Sequence, residues 1–574
     1  MFPPPEMAMK HAQPHPETAE RRRPIRQFRC ILLCTVMGFA APLLGLQTSA
    51  HAYVALMGGQ RARPLNGRFN TLPVLHSNQP EEVEGPGILI NTAPGDAYST
   101  ETGQRLRNSE YTFIGDFGVH LHHKYFPPYR ARISASSRRT ELTIGLILIN
   151  PSSREVHIKF ISGAIRNSFE APYLANSMNG VRPLGPRPWN TGPGDATAVQ
   201  MLRNRLDSRL SQSITLAPNS RRVLFEKDLP ALGIANALLR GQSDGPFQMA
   251  VVAARQSRSP EDLIAVLDQG ILAPGRVYLN RIAEIQNRQV FSRVGGVALG
   301  DEYQASISHN LSTQGSLHVP LTSTHRHSFG TKEVQVNPLV SRMLDSSLDN
   351  VGTYGVRFVV DLNLKGEGPY ELVMSHPSAV GGKQFTAFRG SMQILTDSGL
   401  QEFHVVLRSG QSLPIKGLSL NPGVNNPVRL TLVYPADATP GHLLSIVPTQ
   451  QMARLRQLEL DLELARRQPS AQPSVLQPLP PVDGVGKQPV LDDSLAERMQ
   501  RDRPAVAPLP PPGVNGSRFD INPPPRLEGQ SSTPLAPPPL VDSNRGPTRT
   551  QSLVDRYQQA LDAQNEIMRG LMTR

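Results

Sequence analysis

The chain is poor in the groups on which much enzyme chemistry depends. It has two cysteines in 574 residues, Cys30 and Cys34. Both fall in an N-terminal segment read below as removed. The rest can form no disulfide, no thiolate zinc site and no cysteine nucleophile. There is one tryptophan, Trp189, and only 5% of residues are aromatic, so stacking platforms are scarce. Charged residues make up 18%, and the formal +12 is spread thinly. A nucleic-acid binder needs a dense basic patch, and none is present. No H-E-x-x-H, S-x-x-K or P-loop occurs. Gly295-Gly296 with Gly300 lacks the G-x-G-x-x-G order and reads as a turn or bulge. No apolar run after residue 46 is long enough to span a membrane.

What is present begins with a leader. Arg21, Arg22, Arg23, Arg26 and Arg29 form a basic stretch, Cys30 to Leu46 is apolar, and Ala50-His51-Ala52 has the A-x-A cleavage pattern. Residues 1–52 are therefore read as a signal peptide, with an uncleaved anchor as the alternative. Pro24 and Arg26 spoil a twin-arginine signal, and Leu33 before Cys34 spoils a lipobox. The mature chain keeps about +9 of the charge. An exported chain without disulfides suits a bacterial periplasm or cell surface better than a eukaryotic secretory route.

The 54 prolines and 46 glycines exclude an all-helical bundle. From about Arg61 to Pro448 the pattern is β. Tyr354, Val356, Phe358, Val360, Leu362 and Leu364 alternate onto one face, the mark of a half-buried strand. Val428 to Tyr434, Phe403 to Leu407 and Val156 to Phe160 repeat it. Leu142 to Ile149 reads as a strand buried on both faces. Turn signals such as Asn421-Pro422-Gly423 separate these runs. The expected fold is mainly β: two antiparallel sandwich-like units, over 53–275 and 276–448. Asp195 is expected to cap a helix carrying Val199, Leu202, Leu206 and Leu210. Ser259-Pro260-Glu261-Asp262 predicts a second helix, stopped by Gly270.

Residues 449–467 read as a helix from their Leu, Glu, Ala and Arg content. Residues 468–550 are rich in proline, with Phe519 the one aromatic, and are read as a disordered linker. An amphipathic helix is expected over 551–574, and a spacer ending in such a helix suggests a docking element for another envelope protein.

Several blocks carry a resemblance. They include Arg63-Pro64-Leu65, Pro73-Val74-Leu75, His122-His123, Gly194-Asp195-Ala196-Thr197, Gly245-Pro246, Asn350-Val351-Gly352-Thr353-Tyr354-Gly355-Val356 and Leu432-Val433-Tyr434-Pro435. In their order they resemble a cyanobacterial family of exported proteins of unestablished function. The resemblance implies a bacterial envelope protein and carries over no catalytic residue.

Two sets of candidate residues remain. His120 and His122 share one face of a strand whose Phe117, Val119 and Leu121 face the other way. His325 and His327 have the same spacing. If folding joins the pairs, four imidazoles could hold a zinc ion; this is the basis of the alternative reading, a metal-dependent hydrolase of envelope polymers. Trp189 and Tyr173, near a Pro-rich loop, are the candidates for contacting a glycan of the cell wall or exopolysaccharide. The favoured reading is a non-catalytic envelope protein with a structural or binding role, without cofactor.

Overall fold

A computed structural model of the chain describes residues 61–128, 140–173, 179–186, 191–288, 293–325, 328–377, 385–436 and 438–467. The signal peptide expected over 1–52, the Pro-rich segment 468–550 and the helix expected over 551–574 lie outside these residues.

The fold is mainly β, with a few short helices. Alternation sets the strands. In Arg357–Lys365 the side chains of Phe358, Val360, Leu362 and Leu364 are buried, and Arg357, Val359, Asp361 and Asn363 are half-buried on the opposite face. This strand begins at Arg357 and not at Tyr354. Thr353 and Gly355 have φ of 52° and 77°, left-handed values that turn the chain before it can extend.

The first unit is organised by one strand of 22 residues, Ile234–Arg255. Its first half pairs with Phe113–Tyr125 and Val156–Asn167. Its second half pairs with Thr140–Asn150 and Gly87–Asn91. The register breaks between Ser243 and Phe247. Gly245-Pro246 lies there, and proline has no N–H to give the ladder. The strand thus changes partners at a corner. Phe113, Phe117, Phe160, Leu146, Val251 and their neighbours form the core it encloses.

The second unit is a sandwich. Its larger sheet has the order 68–69, 302–310, 357–365, 426–433, 386–396, 399–408, 180–183. The smaller has the order 317–321, 442–448, 368–375, 412–420. Phe358, Leu430 and Leu432 of the larger share a buried core with Leu372, Leu444 and Ile446 of the smaller. Each such side chain contributes roughly 1.5–3 kcal/mol by leaving water. The ladders are antiparallel except where 302–310 meets 357–365, and 73–77 and 82–83 meet 113–125.

The units interlock, so the boundary read near residue 275 does not separate the sheets. Gly295–Leu299 pairs with Pro73–Ser77 in the first unit. Gly180–Pro183 pairs with Gly399–Arg408 in the second. Pro193–Leu202 is a helix whose Ala198, Met201 and Leu202 pack with Leu238 of one unit and Val433 of the other. Asp195 does not cap it. The cap position is Gly192, Asp195 lies inside the first turn, and Leu206 and Leu210 fall beyond the helix end. The helix Pro260–Gln269 does form as expected. Asp262 accepts the backbone N–H of Ser259, and Gly270 closes the helix at φ 64°. Thr449–Arg467 is also helical, anchored by Met452 against Val373 and Val447. Among the described residues no helix is long and apolar enough to cross a membrane.

Candidate functional site

The sequence-predicted residues that the structure describes are not brought together. His120 is buried, with Nδ1 3.2 Å from Nδ1 of His76 on the neighbouring parallel strand. His122 places Nδ1 3.0 Å from Oδ1 of Asn236. His325 is 44% exposed and lies 3.7 Å from an Asp349 carboxylate oxygen. His327 and Trp189 lie outside the described residues. Among the described residues no three His, Cys, Asp or Glu side chains converge as a metal site. Tyr173 is buried, packed with Ile234, and the Arg389 guanidinium lies 4.8 Å from its ring centre. Its ring is part of the packing, not a surface platform.

Four of the buried histidines, His76, His120, His123 and His442, are held toward the neutral form by their position. Burial pushes His76 down to about 3. It does the same to His123, against the opposing pull of the Pro80 carbonyl. His120 and His442 are driven well below the ordinary range, first by burial and then by neighbouring imidazoles. An imidazole kept neutral in a dry site is a packing and hydrogen-bonding group.

One constellation has the composition of a nucleophilic triad. Asp195, Ser391 and His404 are all buried. Ser391 Oγ donates to Asp195 Oδ2 at 2.8 Å, and His404 Nδ1 lies 3.0 Å from the same oxygen. The order is wrong for catalysis. A base must take the serine proton on Nε2 while the carboxylate holds Nδ1. Here serine and carboxylate both sit on the Nδ1 side, 3.2 Å and 3.0 Å away. The trio fastens the 193–202 helix to the second unit.

An accessible site lies elsewhere, on the outward face of the larger sheet in the second unit. Alternation that buries Tyr303, Phe358, Leu430 and Ile394 turns their neighbours outward. Register then lines these neighbours up in rows. One row crosses the strands as Gln304, Val359, Thr431 and Gln393. The next runs Ser306, Asp361, Arg429 and Leu395. A cavity of about 540 Å³ covers the first row and is walled by Leu202, Asn204 and Arg240 from the other unit. A second, of about 510 Å³, continues it past Ser306 and Asn363 and shares Asp361, Leu395 and Arg429. The two form one open groove across the sheet.

The charges in the groove are already matched within the protein. Arg429 holds both oxygens of Asp361, at 2.6 and 3.0 Å. Arg357 donates to the carbonyls of Met201 and Leu202 at the end of the 193–202 helix. At the rim Arg203 grips Glu402, and Gln393 donates to it at 3.0 Å. Burial opposes ionisation of Glu402, but these bonds prevail and hold its carboxyl below the usual range. What is left to a ligand is the Thr431 hydroxyl and the second N–H and carbonyl oxygen of Gln304 and Gln393, whose amides already donate once to Glu302 and Glu402, with Val359, Leu395 and Leu400 between them. None of the described residues lining either cavity is aromatic.

Candidates sought by motif missed this site because no member is chemically unusual. The available signal was the outward half of each strand. Arg357, Asp361 and Asn363 were legible as the exposed face of one strand, and the partners of Asp361 come only from register.

The fold and groove define a class: a mainly β protein of two interlocked units with a polar surface groove. Residues 60–448 match the model of the family described as "Protein of unknown function (DUF3370)". The chain belongs to that family. No curated protein matches the chain.

Proposed function

We propose that the chain is an exported, non-catalytic protein of a bacterial envelope, cyanobacterial by its family resemblance, whose role is structural or binding. The observation that carries this reading is the groove: an accessible polar surface whose ionic groups are paired within the protein. The basic leader, apolar run and A-x-A pattern support export. The metal-dependent hydrolase alternative gains no support from His120, His122 and His325, which are each engaged separately.

The test uses mature protein from the envelope fraction, with its N-terminus checked by mass spectrometry. It is incubated with peptidoglycan sacculi and with the native exopolysaccharide, with and without residues 468–574. Co-sedimentation with no release of reducing ends is the expected result. Released fragments would refute the non-catalytic reading, and failure to sediment with either polymer would refute the binding role.

A further inference from the structure

We infer that the groove on the outward face of the larger sheet is a binding site for an extended, neutral, hydroxyl-rich polysaccharide. The inference rests on the binding role proposed above and adds to it a site and a ligand class.

Spacing supplies the first argument. Neighbouring strands lie about 4.8 Å apart, and rows two residues apart along a strand are separated by about 6.7 Å. A chain laid across the strands meets a new side chain at every strand. Along the first row it meets Gln304, then Val359, Thr431 and Gln393. Gln304 and Gln393 each give one N–H to a carboxylate of the protein and keep a second N–H and the amide oxygen, and Thr431 adds a hydroxyl, so donors and acceptors remain for sugar hydroxyls. Val359, Leu395 and Leu400 supply small apolar surfaces for the C–H faces of the rings. Leu395 and Leu400 lie opposite one another across two strands and remain 42% and 57% exposed.

Charge supplies the second. A polyanion is held by free cations and pays no ion-pair exchange. Here the guanidinium of Arg429 is bound to Asp361, that of Arg357 to helix carbonyls, and Arg240 Nε lies 3.7 Å from Asp301. A polyanion would have to compete with these carboxylates and carbonyls for the guanidinium groups. The third argument is the lack of aromatic lining. It removes the stacking that holds nucleobases and makes hydrogen bonding the main source of affinity. Sites of this kind bind each sugar weakly and reach useful affinity by length.

Affinity gel electrophoresis and calorimetry of the full mature chain test this. The probes are hydroxyethyl cellulose, neutral dextran and dextran sulfate. Retardation by at least one neutral polymer is expected, with little dependence on salt between roughly 50 and 500 mM and no preference for dextran sulfate. Gln304→Ala with Gln393→Ala should weaken binding by about tenfold for each hydrogen bond lost. Thr431→Trp should obstruct the groove and abolish retardation. Leu400→Lys at the exposed rim gives an independent variant should the others alter the melting temperature. If the wild type binds and all the variants bind equally well, the groove assignment is overturned while the envelope-binding reading stands. If the protein sediments with sacculi but prefers dextran sulfate, with steep salt dependence, the ligand class is overturned. If it binds none of the polymers or sacculi, both readings fail.

Discussion

Lowering the pH from 8 to 5 should remove a large part of the stability of this fold, and the magnitude can be worked from three histidines. His76 and His123 are buried and held down to about 3, and His318 to about 4, in each case chiefly by burial. In the unfolded chain a histidine titrates near 6.5. The unfolded state therefore binds more protons, and stability rises with pH. The contribution is fully present above about pH 6.5 and is lost as pH falls toward 3 to 4. At pH 5 each of the three groups costs about 2 kcal/mol relative to pH 8. Together they remove about 6 kcal/mol, against a typical total of 5–15 kcal/mol. His120 and His442, shifted the same way, add to the loss. Urea unfolding followed by circular dichroism at half-unit steps from pH 8 to 4.5 measures it. Between pH 6 and 5 the slope should be about 4 kcal/mol per pH unit from the three groups alone, and His76→Asn should lower it by about 1.3 kcal/mol per unit. A stability that stays flat over this range, or a slope that His76→Asn leaves unchanged, would refute the assignment of these imidazoles as neutral and dry.

Other perturbations follow from particular contacts. Arg276 and Asp345 form an ion pair with both side chains fully buried, at 3.0 Å; Arg276→Met should cost about 3–5 kcal/mol by leaving the carboxylate unpaired, read from the urea midpoint. Gly163 has φ 127°, and a Cβ there would stand 2.0 Å from the Leu238 carbonyl oxygen; Gly163→Ala should destabilise by several kcal/mol, on the order of other strained substitutions. Elemental analysis of mature protein purified without chelator should find well under one equivalent of zinc, unchanged in His122→Ala. A stoichiometric metal lost in that variant would revive the hydrolase reading.

Much of the fold was legible because burial writes a period of two into the sequence. The strands at 357–365 and 426–433 and the helix at 260–269 could be read from alternation and from the Ser259–Asp262 capping pattern. Partnership could not be read. Nothing in Gly295-Gly296-Val297-Ala298-Leu299 says that it pairs with residues 73–77, since short strands carry no address beyond a fit to their neighbours. Asp195 shows the limit at the level of a side chain. Its position before an apolar run reads as a cap, yet its carboxylate is claimed by Ser391 and His404, about 200 residues away in sequence. The groove was hidden for the same reason. Gln304, Thr431 and Gln393 become one row only through register.

The interlocking of the sheets has a consequence for when the protein can fold. Residues 73–77 are flanked in the first sheet by 113–125 on one side and 295–299 on the other. That sheet stays open at this edge until the chain has been delivered past residue 299. Pairings so distant in sequence close late and slowly. A chain threaded through a membrane from its N-terminus would therefore close this edge of its first unit only when the strands of the second unit had begun to emerge.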